Sequence, residues 1–516
     1  MRLAPPLTTG FVTALALALG GCPQFDDHGP AIPTLGPVAV GDQILTADQN
    51  DESLVAVSVD AGRVDAIKRI PLSGEPTLLA ALPDHSGVLV LERDTETLER
   101  VTVPDGELTT WDVGAGFDGL SIAEDGTAAI AYFPPGTANA VFHNANEIAY
   151  VDLDPNTPPE NAVVRRTLAS LGGAPLAVYP SPALGDRRFA FVLSEEHVAI
   201  LDLSEPNSRE RSVPLVSLNT GGQRTPKDIR FELDDTGDVP ALWAVITTWE
   251  GNSVYALRVF ESISEEQGGA NFDVRLTQLA GFTSGGDVTL TQLPDGRLVS
   301  LMLSPSGGTA TVTYLENGNS DTVQLDAGVN RLDTYLEEGR PIAVIYRAGG
   351  TAFHILDIAA IEEKKDKAFR TRYANHAIQS LMPIPGTPRF IAFHNDTDEA
   401  VSVINADTDR VTSFGRTGYV RDVVLSQDLG RLYLLTRVDS ADYLVNVQLD
   451  NLHPTAAEVP NGGTRLLLLP AVGTVATSGD LVGGQLVLWP ADATTDDDAY
   501  AVPAYLLDGL LDRAND

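Results

Sequence analysis

The sequence predicts an all-β fold, a single β-propeller of four-stranded blades, and three observations predict it. Short apolar runs alternate with turns containing Asp-Gly, Gly-Gly or Pro. The runs recur as a four-strand phrase along most of the chain. The main helical candidate, residues 358–370, is short and charged (Ile361-Glu362-Glu363-Lys364-Lys365) and reads as a surface insertion between strands.

The first element in chain order is an export signal, residues 1–21. Arg2 precedes an apolar run from Phe11 to Leu19, then Gly20, Gly21 and Cys22, the only cysteine. The run is too short to span a bilayer in a mature protein. Leu19-Gly20-Gly21-Cys22 resembles the lipobox of bacterial lipoproteins. The resemblance implies cleavage before Cys22, a diacylglyceryl group on its thiol and an acyl chain such as palmitate on its new amine. Several chains, at about 0.8 kcal/mol per buried CH₂, make a stable anchor where one is marginal. Pro23 rather than Asp follows the cysteine. The resemblance therefore implies the outer membrane, periplasmic side, with the inner membrane or the cell surface as alternatives. With one cysteine there is no intramolecular disulfide, and stability rests on core packing.

Residues 22–42 are rich in Pro and Gly and read as a flexible tether. The folded part runs over residues 43–490. Its strongest strands are at 87–91, 128–132, 189–193 and 431–435. Unit starts fall near residues 75, 118, 174, 226, 285, 330, 377, 420 and 464. Residues 43–45, 54–59 and 64–70 read as strands lacking a full unit, and 464–469, 475–477 and 485–488 as the piece completing it. Residues 491–516 form an acidic tail opening with the stretch 492–498.

The spacing of the starts, about 43 to 59 residues, is a repeat period. A four-stranded antiparallel sheet cannot bury both faces alone, so units at this period must stack. Radial stacking also removes exposed sheet edges. The expected number is eight, with seven or nine as alternatives, the chain ends closing the ring together. Two smaller β domains meeting near residues 220–285 are the alternative fold. Period and strand phrasing resemble the WD40-like and YVTN-like repeat propellers, although Trp111-Asp112 is the one Trp-Asp pair. That resemblance implies architecture and carries no ligand with it.

The chain has 34 Lys and Arg against 71 Asp and Glu, a net charge of −37. This argues against nucleic acid and against an anionic membrane surface as direct partners. Solubility explains the acidity without a function; attraction of divalent cations or of a basic partner is the functional reading.

Asp396, Asp398 and Glu399 share one turn and have the oxygen density that Ca²⁺ seeks, without the bend glycine or the distant Glu of a calcium loop. Asp234, Asp235 and Asp238 are a similar group. Asp-rich hairpin turns arise from backbone chemistry alone, so calcium is the one cofactor these groups bring into view. The eight histidines form no His-x-His or His-x-x-x-His pair. No Gly-x-Ser-x-Gly elbow, dinucleotide motif or phosphate loop is present, so no catalytic residue is assigned. Trp243 and Trp489 lie in apolar strands and read as core. Trp249, in the polar turn "TTWEGNS", is the candidate ligand-binding residue.

These readings point to a lipid-anchored binding or scaffold protein of the cell envelope, with no catalysis expected. Its partners would be the membrane, through the N-terminal lipid, and another envelope protein. The alternatives are carbohydrate or polymer binding at an aromatic rim, and a metal-dependent hydrolase or lyase at the propeller axis.

Overall fold

Strand composition separates the inner strands from the outer ones. Strands Gly87–Glu92, Phe189–Leu193 and Leu298–Ser304 are buried at every position. Strands Leu108–Asp112, Ser320–Gln324 and Pro454–Glu458 bury one residue each and turn the rest toward solvent. A run that is apolar on both pleat faces fits only between two neighbours, whereas an alternating run fits a margin.

The computed structural model describes residues 35–502, apart from 50, 137–142, 170–174, 196, 206, 219, 236–238, 252, 262–271, 280–284, 365–367, 397–398, 415–417, 461 and 480–485. Cys22, Asp238 and Asp398 lie outside the described residues. The described strands form eight antiparallel four-stranded sheets and one of seven strands, each in chain order. We number them 1 to 9: residues 38–71, 76–112, 119–167, 177–214, 226–279, 288–324, 331–414, 419–458 and 465–501.

Sheet 7 has seven strands because one strand serves two units. Phe369–Ile384 is 16 residues long. Its first part, from Phe369 to Tyr373, pairs with Gly350–Asp357, and its second, from Ile378 to Ile384, with Arg389–His394. Both registers shift near Ile378, and such an irregularity bends the strand. The helical candidate before it is shorter than expected. A 3-10 turn, Ile358–Ala360, runs into a helix, Ile361–Lys364. Asp357 caps the turn by accepting the Ala360 N–H at 3.2 Å.

The core is divided among the seams between units. Each of ten buried clusters joins two successive four-strand units. Val40, Leu54 and Ile70 of sheet 1 pack on Leu79, Val88 and Val101 of sheet 2. The two halves of sheet 7 share one such cluster, with Phe353 on one side and Phe390 on the other. The tenth joins the ends of the fold: Ile44, Val55 and Val57 of sheet 1 pack on Leu469, Ala476 and Leu488 of sheet 9.

One expectation is corrected here. The chain ends do not share one composite unit, because sheets 1 and 9 each own four strands. The missing strands are Val38–Val40, inside the segment read as tether, and Tyr500–Ala501, inside the segment read as tail. The described strands form nine sheets, the upper alternative to the expected eight, and one of them is double.

Gly62 sits on the seam between sheets 1 and 9. Its N–H donates to Thr474 Oγ1 at 2.9 Å. Its φ is +78°, and a Cβ there would lie 2.4 Å from the Pro490 nitrogen. Arg63 beside it covers the Tyr500 ring at 5.9 Å. Gly62→Ala adds both a left-handed strain and a backbone clash, so we expect a loss of about 1–3 kcal/mol in urea unfolding. Gly136→Ala, also at positive φ but with open space around it, is the control and should lose less.

Candidate functional site on the loop face

Antiparallel pairing in chain order decides where the loops go. In each unit the loop between the second and third strands lies at the same end as the connection to the next unit. The two hairpin loops, first to second and third to fourth strand, lie at the other end. The first kind of end is called the loop face below.

Trp249 stands on this face, in the turn between strands Ala241–Thr248 and Val254–Glu261 of sheet 5. The turn is tied from several sides. Trp249 N–H donates to the Thr225 carbonyl at 2.9 Å, and Gly251 N–H to the Thr248 carbonyl at 2.9 Å. Glu250 accepts the Thr225 N–H at 3.1 Å. The indole, held by its backbone, is 64% exposed, while Trp111, Trp243 and Trp489 are buried. Lys227 Nζ lies 5.5 Å from the Trp249 ring centroid, within the range of a cation–π contact.

Trp249 lines a groove of about 510 Å³ with Leu176, Glu195, Gln223 and Thr225. The groove lies where sheets 4 and 5 meet, so its walls come from separate stretches of chain. The hairpin before sheet 5 carries Leu218, which is 82% exposed, and its N–H is held by Gln278 Oε1 at 2.8 Å. An indole, an aliphatic lining residue and several amide, hydroxyl and carboxylate groups suit a partner that is partly apolar and partly hydrogen-bonding. Sequence reasoning reached Trp249 through its polar turn but missed Lys227, Gln223, Glu195 and Leu176. No spacing rule connects them.

A second cavity, about 610 Å³, opens on the same face over sheets 1 to 3. Arg93, Asp94, Glu96, His143, Glu147 and Arg165 line part of it. Arg93 is paired with Asp118, and Arg165 with Glu147 at 2.5 Å. His143 stacks on Phe133 with ring centroids 4.2 Å apart.

The carboxylates singled out as cation candidates separate. Asp234 ends the first strand of sheet 5, so Asp234 and Asp235 lie at the end opposite the loop face. Asp396 and Glu399 are on the loop face, where they meet His376. The His376 Nε2 lies 2.6 Å from Glu399 Oε2, and its Nδ1 3.3 Å from Asp396 Oδ2. Both ring nitrogens therefore face carboxylates. The neighbouring His394 is buried, its Nε2 2.8 Å from Ser402 Oγ. Burial holds its imidazole below the usual histidine range, the Ala377 carbonyl opposes this, and His376 adds to it. Among the described residues, no group of three or more His, Cys, Asp or Glu side chains is arranged to hold a metal ion. Nor is any described helix long and apolar enough to cross a membrane.

No family model matches the chain, and no curated protein matches it. Solved structures with similar shape do exist. A dihydro-heme d1 dehydrogenase NirN in complex with DHE is 12% identical, covering 83% of this chain and 75% of that one, with a TM-score of 0.41. A eukaryotic initiation factor is 12% identical over 83% of this chain and 98% of that one, with a TM-score of 0.48. Apo AztD from Citrobacter koseri is 12% identical over 68% and 87%, with a TM-score of 0.32. At these values nothing about ligand or activity transfers to this chain.

Because Trp249 is the one exposed indole among four, acrylamide should quench it selectively. Replacing it by Phe should remove most of the quenchable emission and leave the shielded, blue-shifted part. Unchanged quenching in that variant would mean that the groove is closed in solution.

Proposed function

We propose that this chain is a lipid-anchored binding protein of the cell envelope. Its units close into a ring of ten, and it engages an envelope protein through the loop face around Trp249. The observation that carries the reading is that exposed indole, fixed by backbone hydrogen bonds on the lip of a groove with Lys227 against it. A rigid aromatic anchor beside adaptable polar groups is the kind of feature on which binding energy concentrates. The ten seam clusters, the last joining sheet 9 to sheet 1, support the ring. The net charge of −37 favours a partner that is neutral or basic where it docks. Acylation of Cys22 supplies the membrane attachment, on the periplasmic side of the outer membrane, and no catalytic step is assigned.

Carbohydrate or polymer binding at the same groove is the second reading. It is favoured by Glu195, Gln223 and Thr225 beside the indole, a mixture that suits hydroxyl-rich ligands as well as peptides.

Mild crosslinking of the native membrane, followed by purification and mass spectrometry, tests both. The expected result is a stoichiometric envelope protein, recovered with the wild type and lost with Trp249→Ala. A Trp249→Ala variant that keeps the partner would overturn the site. Wild type recovered alone but retained on cell-wall polysaccharide would favour the second reading. Separately, Cys22→Ser should move the protein from the membrane fraction to the soluble one; if it stays, the anchor lies elsewhere.

A further inference from the structure

Beneath the second cavity, Glu92 and Glu99 are buried together, with relative exposures of 0% and 1%. Glu92 ends strand Gly87–Glu92 and pairs with Thr97, and Glu99 pairs with Val90 and Thr110. By the alternation of the pleat, Glu92, Thr97, Glu99 and Thr110 share the face of sheet 2 that packs on sheet 1. Four hydroxyls serve the pair. Thr95 and Thr97 donate to Glu92 Oε2 at 2.9 and 2.8 Å. Ser73 and Thr110 donate to Glu99 Oε1 at 2.6 and 2.9 Å.

Glu92 Oε1, also buried, receives no hydrogen bond from these donors, and Glu99 stands diagonally across the strand pair from Glu92 on the same face. Ionised carboxylates only accept. Two of them facing each other out of water are tolerable only with one positive species between them. We propose that Glu92 and Glu99 share one proton, and that this proton latches the loop 93–96, a wall of the cavity, onto sheet 2.

The loop's own bonds make the latch specific. Thr95 and Thr97, whose hydroxyls lie 2.7 Å apart, tie the loop to Glu92. The loop then presents Arg93, Asp94 and Glu96 to the cavity. Asp94 accepts the Glu75 N–H at 3.1 Å, which joins the loop to the connection between sheets 1 and 2.

Other charged groups around the pair are occupied or turned to solvent. On sheet 1, Leu54, Ala56 and Ile70 pack on this face. Of the cations beside Ile70, Lys68 donates to the Asp105 carbonyl at 2.5 Å, and Arg69 is taken by Asp48 and Asp51, each at 3.1 Å. On the connection, Glu75 is exposed. On the outer strand Asp112, opposite Thr97, is exposed too.

Burial is the largest influence on Glu92, with the Thr97 hydroxyl opposing it and the Glu99 charge adding to it; the carboxyl is pushed up to about 7. The folded state therefore keeps a proton that the unfolded state releases near the ordinary value of 4.5. Stability from this pair is greatest below that ordinary value. It falls as pH rises toward about 7 and changes no further above it.

Hydrogen exchange of the full chain across about pH 5 to about pH 8, corrected for intrinsic rates, tests this. In wild type, opening of residues 92–97 should increase with pH by at most about tenfold per unit, then level off. Glu92→Gln, whose amide donates to Glu99 without titrating, should give a flat profile. Glu99→Gln removes the opposing charge but leaves Glu92 buried, so its opening should level off at a lower pH than in wild type, and it serves if the first variant does not fold. A flat wild-type profile, or variants that reproduce the wild-type profile, would overturn the latch. Protection restored by millimolar calcium at the alkaline end would also overturn it and make the pair a cation site.

Discussion

Everything in this fold depends on sheets that are apolar on both faces. Strand Gly87–Glu92 is buried throughout, and no isolated sheet could keep such a strand dry. Each unit therefore needs a neighbour on either side, and the requirement passes along the chain until its end. The first and last units would each be left with a bare face, and they meet this by packing on each other through Ile44, Val57, Leu469 and Leu488. Gly62 belongs to the same constraint, since the approach of Pro490 leaves no room for a side chain there. In a chain with one cysteine, and so no intramolecular disulfide, these seams replace covalent cross-links as the source of order.

The sequence carried much of this in readable form. Unit starts expected near 75, 118, 226, 330, 420 and 464 correspond to strands beginning at Pro76, Gly119, Pro226, Arg331, Tyr419 and Arg465. What escaped were strands too short to show a period: Val38–Val40 has three residues and Tyr500–Ala501 two. Without them the chain ends read as halves of one unit. The doubled sheet escaped for the opposite reason. The expected start near 377 falls inside the long strand Phe369–Ile384, where hydrogen bonding does not break although the packing changes partners.

The loop face was legible only where one residue stood out from its own neighbours. Trp249 did, as an indole in a polar turn. Lys227 and Gln223 did not, because their meaning comes from the seam between sheets 4 and 5 and from no local pattern. The same holds for His376, which meets Asp396 and Glu399 across a strand and a turn. The Glu92–Glu99 pair is buried on two neighbouring strands, and each glutamate alone reads as an ordinary strand charge. Periodicity reports which side of an element is buried; it does not report which buried groups confront each other.

The first strand of sheet 1 starts at the loop face, and the last strand of sheet 9 ends there. Leu35 and Val502 bond beside this end, to Ala47 and Leu486 respectively. Both ends of the described chain thus lie on the side that bears Trp249 and both cavities. If Cys22 carries the lipid proposed above, the stretch from it to Val38 would span at most about 55 Å fully extended. On that proposal the loop face would look back at the bilayer, and the opposite hairpins would point away. A partner reaching Trp249 would have to enter a layer only as deep as that stretch is long, which favours proteins that are themselves held at the same membrane.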